Sequence, residues 1–554
     1  MTDSVQIAII GAGPAGLSAA ARAAATNTSH LLLEASPQLA NTVFRYQKGK
    51  HVMAEPAVLP LRAALGFEAG TRERILKRWH EGAIQTRANI RYRTEVTALK
   101  GQAGAFTLNL ASGDRIRAAA VVLAIGLQGN LRKLEVPGED LEYVQYQLDD
   151  PDEYRNETIV VVGAGDAAIE NALALAPHNT VIMLNRRDEF ARAKEGNLKN
   201  IVRGIEAGQL ECLYNAAPLA VEALPMGDPH RLRLQLKTKT GATEILCDRI
   251  VARLGALPPR KFVESCGITF SSDDPAAVPT VTPRYESNVP GLYIIGALAG
   301  YPLIKQCLNQ GYEVVEFICG RAVEPADNGL LRAKFARVPG FRHVDAALAA
   351  IRERIPLFAS LTPLQLREFM LDSEIRTPAP GEVVVQYNDY TNTFFSILGG
   401  QVEIRINPHD PSKTIPLGSG KFFGEMSLIS GRRRSATIVA GANCVLIETP
   451  RRSMNKLIQS VEAVRREIDE VFLLRAIRMQ IAPEVPEDEL IEVVKTAHLR
   501  QYNAGDVLFK AGDRADYLHL IRSGSVTVSH EIGGRDVVIA YLPSGNYVGE
   551  LALL

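Results

Sequence analysis

Two glycine-rich segments carry the clearest chemistry in this chain, Gly11-Ala-Gly-Pro-Ala-Gly16 and Gly163-Ala-Gly-Asp-Ala-Ala168, and each follows a run of β-branched residues. In such a segment the first glycine (Gly11, Gly163) permits a tight turn, and the second (Gly13, Gly165) lets backbone approach a pyrophosphate. The third position (Gly16, Ala168) lets the next helix pack close to the strand. Pro14 and Ala15, with their counterparts Asp166 and Ala167, open those helices, whose N–H groups and dipole favour a phosphate. One such turn is weak evidence, because glycine turns are common. Two imply two dinucleotides held by one protein, the requirement for passing hydride from a nicotinamide to a flavin.

The charge that follows each turn separates the two sites. Counting 23 residues from the first glycine reaches Glu34 in one segment and Arg186 in the other. A carboxylate there accepts hydrogen bonds from ribose hydroxyls and repels a 2′-phosphate. Arg186 and Arg187 do the opposite, since a guanidinium fork binds a 2′-phosphate through charge-assisted hydrogen bonds. The first site is therefore expected to take FAD and the second NADPH in preference to NADH. Hydride transfer to a flavin needs orientation more than an acid or a base, so no catalytic side chain is assigned.

The elements that must position these groups are legible around them. Val5 to Ile10, Leu31 to Leu33 and Ala120 to Gly126 read as buried parallel strands, with Gly126 at the tip of the third. Thr158 to Val162 and Val181 to Leu184 repeat the pattern. This is α/β, doubly wound. At 554 residues the chain should hold three or four domains. Its 62 basic residues balance 62 acidic ones, which gives no reason to expect a nucleic-acid partner. Met1 to Ser4 runs into the first strand without an apolar signal core, and the apolar stretch Val289 to Ile304 is broken by glycines and prolines. Neither a leader nor a membrane span is expected. The cysteines, Cys212, Cys247, Cys266, Cys307, Cys319 and Cys444, form no C-x-x-C pair and no zinc pattern. A cytoplasmic enzyme without a metal is the plain reading.

Residues 1 to about 325 resemble the flavoproteins with two dinucleotide-binding domains, closest to the low-molecular-weight thioredoxin reductase branch. Asn185-Arg-Arg-Asp-Glu-Phe190 is similar to that branch's NADPH-reading segment, and Asn288-Val-Pro-Gly-Leu-Tyr-Ile-Ile-Gly296 to its returning FAD strand. The resemblance implies an FAD domain in two segments, 1–150 and 256–325, with an NADPH domain, 151–255, inserted between them. It also implies a homodimer and a rotation that presents the flavin alternately to NADPH and to the acceptor. Two departures stand out. The redox C-x-x-C of that branch is replaced by Tyr143-Val-Gln-Tyr-Gln-Leu148, and Ala15 stands where bacillithiol disulfide reductases carry a cysteine. Relay through a dithiol is not expected. The returning strand ends in Gly296-Ala297 rather than Gly-Asp, and the hydrogen bond so lost to the flavin's ribityl chain is worth about 1 kcal/mol. Beyond it, Lys305 and Gln306 match the family's positions beside the flavin pyrimidine, where Lys305 would favour negative charge on the reduced ring.

From residue 355 the pattern changes to short alternating strands with glycine turns, a small β-barrel of jelly-roll type with accompanying helices. It occurs twice, since Gly381-Glu-Val383 recurs as Gly505-Asp-Val507, Gly399-Gly400 as Ser523-Gly524, and Gly424-Glu425 as Gly549-Glu550. Phe423-Gly-Glu-Met-Ser-Leu428 with Gly431-Arg-Arg-Arg-Ser-Ala436 resembles the phosphate-binding cassette of cyclic nucleotide-binding domains. The resemblance implies backbone donors near Gly424, Arg434 as counter-charge to the cyclic phosphate, Glu425 on the ribose 2′-hydroxyl, and Ser435 favouring cAMP over cGMP. The domains are then a helical connector at 326–354, a first nucleotide-binding domain at 355–478 and an incomplete second at 479–554. Arg451 to Met479 is amphipathic and is expected to lid the first pocket. The second copy stops inside its own cassette, so the native protein is expected to continue. The function expected is an FAD-dependent NADPH oxidoreductase regulated by cyclic nucleotide, its acceptor left open among ferredoxin, a quinone, an iron–sulfur module and a disulfide protein. The alternative is a flavin and NADPH redox sensor with little turnover. A transcription factor finds no support without a helix-turn-helix after the first barrel.

Overall fold

The computed structural model describes residues 3–549 apart from 57–58, 128, 188, 191–192, 239–240, 271, 276, 302, 392, 407–413, 431–432, 501, 503–504, 514–516 and 533–534. It divides into two compact units, 1–330 and 331–554. Among the described residues no helix is long and apolar enough to cross a membrane.

In the first unit the strand Asp3–Ile10 lies between His30–Leu33 and Arg115–Leu123, parallel to both, with Ile9 opposite Leu32 and Val122. Ile7, Ile9, Leu32 and Val122 are fully buried, as a parallel strand covered on both faces requires. The strand Arg115–Leu123 has two partners on its far side. Its first half pairs antiparallel with Phe106–Leu110, while its second half pairs parallel with Leu292–Ile294. The chain thus returns to finish this sheet after building a second one. That second sheet is wholly parallel, in the order Glu211–Tyr214, Thr180–Asn185, Thr158–Val162, Arg249–Ala252, Val144–Gln145. A three-stranded antiparallel meander, Ala217–Ala223, Leu232–Thr238 and Gly241–Cys247, accompanies it.

The helices Pro14–Ala25 and Ile304–Ile318 pack so closely that side chains are excluded between them. A Cβ on Gly311 would lie 2.2 Å from the Ala15 carbonyl oxygen and 2.7 Å from Ser18 Cβ. The Ser18 hydroxyl, itself buried, donates to the Leu308 carbonyl at 2.5 Å. On the other side of the first helix, a Cβ on Gly16 would fall 1.9 Å from the Gly11 carbonyl oxygen. Helix, turn and returning helix are therefore held together by glycine at both contacts.

The second unit is built on two four-stranded antiparallel sheets. One runs Glu374–Arg376, Val445–Pro450, Thr393–Gly399, Phe422–Phe423; the other runs Val383–Val385, Thr437–Ala440, Gln401–Arg405, Thr414–Gly418. Phe395 and Phe423 stack at 4.8 Å inside this jelly roll, beside Ile397, Ile438 and Leu446. The segment read from sequence as a connector is more than a spacer. Its helices Asn328–Phe335 and Val344–Arg354 bury Leu331, Phe335, Val344, Leu348 and Ile351 in one core with Phe394, Phe422 and Ile447. The amphipathic stretch after the barrel is two helices, Arg451–Ser460 and Glu462–Gln480, meeting at an extended Val461. The second repeat contributes the hairpin Ser525–Ile532 with Arg535–Pro543 and the short pair His519–Leu520 with Tyr547–Val548.

Gly311→Val is expected to lower the melting temperature of the first unit by an overpacking penalty of about 1–3 kcal/mol, measured by thermal unfolding. Gly196→Ala, at a helical position with open space around it, is expected to leave stability unchanged or slightly raised.

Candidate functional site

The first glycine turn has the geometry of a cradle. Gly11 adopts φ +100°, where a Cβ would meet the Ala124 carbonyl oxygen at 2.6 Å, so the turn rests on the end of the neighbouring strand. A Cβ on Gly13, by contrast, would have its nearest neighbour at 3.9 Å and would fill the space a pyrophosphate needs. Pro14 is the first residue of the helix, Ala15 is buried behind it, and Gly126 turns with φ +62° into open space. Glu34 ends its strand nearly buried. Its Oε2 accepts from the Ala12 N–H at 2.7 Å and its Oε1 from the Ser36 N–H at 2.8 Å. The carboxylate therefore ties the turn to the strand end and keeps a lone pair on each oxygen for sugar hydroxyls.

The returning strand delivers Gly296 to the same place. A Cβ there would lie 3.1 Å from Ala15 Cβ and 3.6 Å from Cys307 Sγ, and φ is +76°. The Gly296 N–H donates to buried Gln310 Oε1 at 2.7 Å, a contact that the sequence alone did not disclose. Ala297 follows in a short 3₁₀ turn, Gly296–Ala299. At the start of the next helix, Gln306 is buried and its Oε1 finds no partner among the described residues. An orphaned buried acceptor is costly unless a ligand donor meets it, and the N–H of a flavin pyrimidine is such a donor. The residues present fit an FAD. Lys305 is engaged differently from a lysine lying open at a ring edge: its Nζ donates to the Pro56 and Leu59 carbonyl oxygens at 3.0 and 3.1 Å, holding those two residues to the helix.

The second turn repeats the cradle in the second sheet. Gly163 has φ +132° with a would-be Cβ 2.5 Å from the Arg253 carbonyl oxygen, whereas nothing lies within 4 Å of one on Gly165. Ala168 is fully buried against its strand and Ala167 half-buried. Asp166 sits at the helix start, but its carboxylate is used internally, accepting from the Lys194 N–H and Asn197 Nδ2, both at 2.8 Å. Arg186 and Arg187 are exposed, and no ion pair among the described residues engages them. Asn185 shapes their loop: buried, it accepts from the Arg187 N–H at 3.0 Å and donates to the Glu189 carbonyl at 3.0 Å. An asparagine closing a strand before two arginines was the available signal for that role.

In the second unit the cassette residues converge. Gly424 has φ +95°, and a Cβ there would lie 2.8 Å from Arg434 Nη1. Arg434 is buried; its Nε donates to Thr391 Oγ1 and its Nη2 to the Thr393 carbonyl, both at 2.6 Å, while Nη1 has no partner among the described residues. Burial pushes its guanidinium down from the ordinary value, with Glu425 among the groups that oppose the shift. A buried, incompletely paired cation is what a cyclic phosphate would satisfy. Glu425, equally buried, lies 2.8 Å from Arg475 Nη1 on the helix Glu462–Gln480. Ser435 is exposed beside the cassette. Glu550, its partner motif in the second repeat, lies outside the described residues.

Residues 8–296 match the family model described as pyridine nucleotide-disulphide oxidoreductase, and residues 375–461 and 499–554 match the cyclic nucleotide-binding domain. The doubly wound fold and the jelly rolls expected from the sequence are both found. Similar curated proteins include the ferredoxin–NADP reductase of Ignicoccus hospitalis, 28% identical over 319 residues that cover 55% of this chain and 93% of that protein. The ferredoxin–NADP reductase of Gluconobacter oxydans is also 28% identical, covering 56% and 89%. Among solved structures, the bacillithiol disulfide reductase of Staphylococcus aureus shares the fold, with a TM-score of 0.52 at 21% identity over 58% of this chain and 99% of that one.

One titratable group on the helix of Gln306 gives the site a pH signature. Glu313 accepts from the Tyr285 hydroxyl at 2.6 Å and the Ala326 N–H at 2.7 Å, and burial pushes its carboxyl up to about 7. A raised folded pKa means that the folded state keeps a proton the unfolded chain releases. Stability from this group is full below the ordinary carboxylate range and is lost as pH rises through about 7. Glu313→Gln is expected to flatten the fall in melting temperature between about pH 5 and about pH 8, followed by scanning calorimetry.

Proposed function

The chain belongs to the pyridine nucleotide-disulphide oxidoreductase family, and on that premise we propose that it moves hydride from NADPH to FAD and electrons onward to a ferredoxin-type protein, under control of a cyclic nucleotide. It is an NAD(P)H-dependent flavin oxidoreductase with cyclic nucleotide-binding domains. The acceptor, the nucleotide and the residue roles are the proposed part. Bound flavin supplies a two-electron store that can be emptied one electron at a time.

The protein's own groups do the holding. Gly11, Gly13, Pro14, Ala15, Gly16 and Gly126 would line the FAD pyrophosphate, Glu34 would take the ribose, and Gly296, Ala297 and Gln306 would lie along the flavin. Lys305 would act by fixing Pro56 and Leu59 to that helix. Gly163, Gly165 and Ala167 would cradle the NADPH pyrophosphate, with Asp166 fixing residue 194 and Arg186 and Arg187 clamping the 2′-phosphate. Gly424, Glu425, Arg434 and Ser435 would bind the cyclic nucleotide, for which cAMP is the first choice.

The observation that carries the acceptor is the state of the sulfur. The cysteines stand free and dispersed, and burial pushes Cys212, Cys266 and Cys444 up to about 11 and Cys247 to about 12. Those four thiols, held protonated, are poor nucleophiles toward a disulfide, and none of the six cysteines forms a C-x-x-C pair. A one-electron protein acceptor needs no such thiol, and the curated relatives reported above are named for ferredoxin. Ala297 favours a second reading, a redox sensor with little turnover, because it lacks the carboxylate that would hold the flavin.

NADPH oxidation coupled through ferredoxin to cytochrome c is expected to exceed reduction of thioredoxin or a small disulfide by more than about tenfold, a factor equal to roughly 1.4 kcal/mol at the transition state. Disulfide reduction without ferredoxin activity overturns the acceptor, and absence of turnover with every acceptor leaves the sensor. Arg186→Ala with Arg187→Ala is expected to raise KM for NADPH by about ten- to a hundredfold, from the loss of charge-assisted hydrogen bonds, with KM for NADH little changed.

A further inference from the structure

The residues assigned so far to the second cradle cover its turn and one side of it. The sheet there runs Glu211–Tyr214, Thr180–Asn185, Thr158–Val162, Arg249–Ala252, Val144–Gln145, all parallel, with the glycine turn at the end of the middle strand. At such a switch point a dinucleotide lies across the carboxyl ends of the strands, one half on each side of the turn. Arg186 and Arg187 follow Thr180–Asn185 and mark the adenosine half. The nicotinamide half then falls on the other side, over the end of Arg249–Ala252, and the residue at that end is Arg253.

Arg253 is part of the cradle. Its N–H donates to the Val162 carbonyl at 2.8 Å, and its own carbonyl oxygen is the atom that excludes a Cβ from Gly163. Its side chain reaches the neighbouring strand end, where Nη1 donates to the Tyr146 carbonyl at 2.7 Å. Nε is buried and has no partner among the described residues. Burial pushes the guanidinium below its ordinary value, and Glu170 and Tyr46 oppose the shift. Glu170 does not neutralise it, because Lys50 at 2.6 Å and Asn197 Nδ2 at 3.1 Å already hold that carboxylate. Tyr46 connects this cation to the flavin side. Burial raises the Tyr46 hydroxyl, with Cys307 adding to the rise and Arg253 opposing it, and Cys307 Sγ is 3.6 Å from the place of a Cβ on Gly296. Arg253 therefore lies between the two cradles.

On the reading of the second cradle as the NADPH site, we propose that Arg253 binds the nicotinamide half of NADPH, its Nε donating to an oxygen of the nicotinamide ribose or carboxamide. A buried donor left unpaired is costly, and an acceptor oxygen brought by the substrate removes that cost on binding. The bond from Nη1 to Tyr146 holds the guanidinium in place beforehand, so little side-chain freedom is lost when the substrate arrives. Arg186 and Arg187 then anchor one end of the dinucleotide and Arg253 the other, with the glycine turn between them.

Isothermal titration of the full FAD-loaded chain with NADP⁺ and with adenosine 2′,5′-bisphosphate tests this, because the second probe keeps the 2′-phosphate and lacks the nicotinamide half. Arg253→Leu is expected to weaken NADP⁺ by about tenfold, through loss of a charge-assisted hydrogen bond. Affinity for adenosine 2′,5′-bisphosphate is expected to stay within about twofold, which also reports that the cradle is still folded. Arg253→Lys is expected to bind NADP⁺ with intermediate affinity, since an ammonium keeps the charge but not the fork. Equal loss for both probes in both variants overturns the role and leaves Arg253 a structural residue of the strand end. Unchanged NADP⁺ affinity in Arg253→Leu overturns it outright. A wild type that binds neither probe refutes the NADPH reading itself, and the role of Arg253 with it.

Discussion

How near two backbones can come governs the redox half of this protein. At Gly16 and Gly311 there is no room for a methyl group: Gly16 lies against the first turn, and at Gly311 the helix Ile304–Ile318 meets Pro14–Ala25 across some 290 residues of sequence. That contact sets Gly296 beside Ala15. A wider crossing would separate the pyrophosphate cradle from the residues suited to the ring. Glu34 secures the other end, its two oxygens tying turn to strand. The packing and the binding geometry are thus one constraint.

The second unit is governed by buried charge instead. Arg434 and Glu425 both sit inside the barrel, and neither is fully satisfied by the other. Thr391 and Thr393 take two of the guanidinium's nitrogens, and Arg475 takes a carboxylate oxygen from outside the cassette. Buried ionic groups held this incompletely cost stability. Their retention is consistent with a ligand that completes them, and the cyclic phosphate and ribose of a nucleotide present the matching pair of charges and hydroxyls.

Much of this was legible in the sequence, and what was not has physical reasons. The glycine turns, the strands before them and the switch from Glu34 to Arg186 depend on residues close in sequence, so spacing alone exposes them. The repeat offset exposed the barrels in the same way. Gln310, Asn185 and Arg475 act through tertiary contacts or loop shape, which no periodicity encodes. Lys305 could be placed near the helix start from the sequence, yet the two carbonyls that hold it lie some 250 residues away. The segment 326–354 read as a connector because its composition is mixed, whereas its apolar residues fall on one face and enter the core. Asp166 looked like a phosphate-site residue and turned out to fasten a neighbouring helix.

The central claim is that NADPH reduces a flavin in this protein and that cyclic nucleotide changes how fast. Anaerobic mixing of the FAD-loaded chain with NADPH, followed at the flavin's visible absorbance with and without saturating cAMP, tests it most directly. The account predicts prompt bleaching by NADPH at a rate that shifts severalfold when cAMP is present. Bleaching at one rate in both conditions would contradict the regulation, and no bleaching in either would contradict the reductase itself.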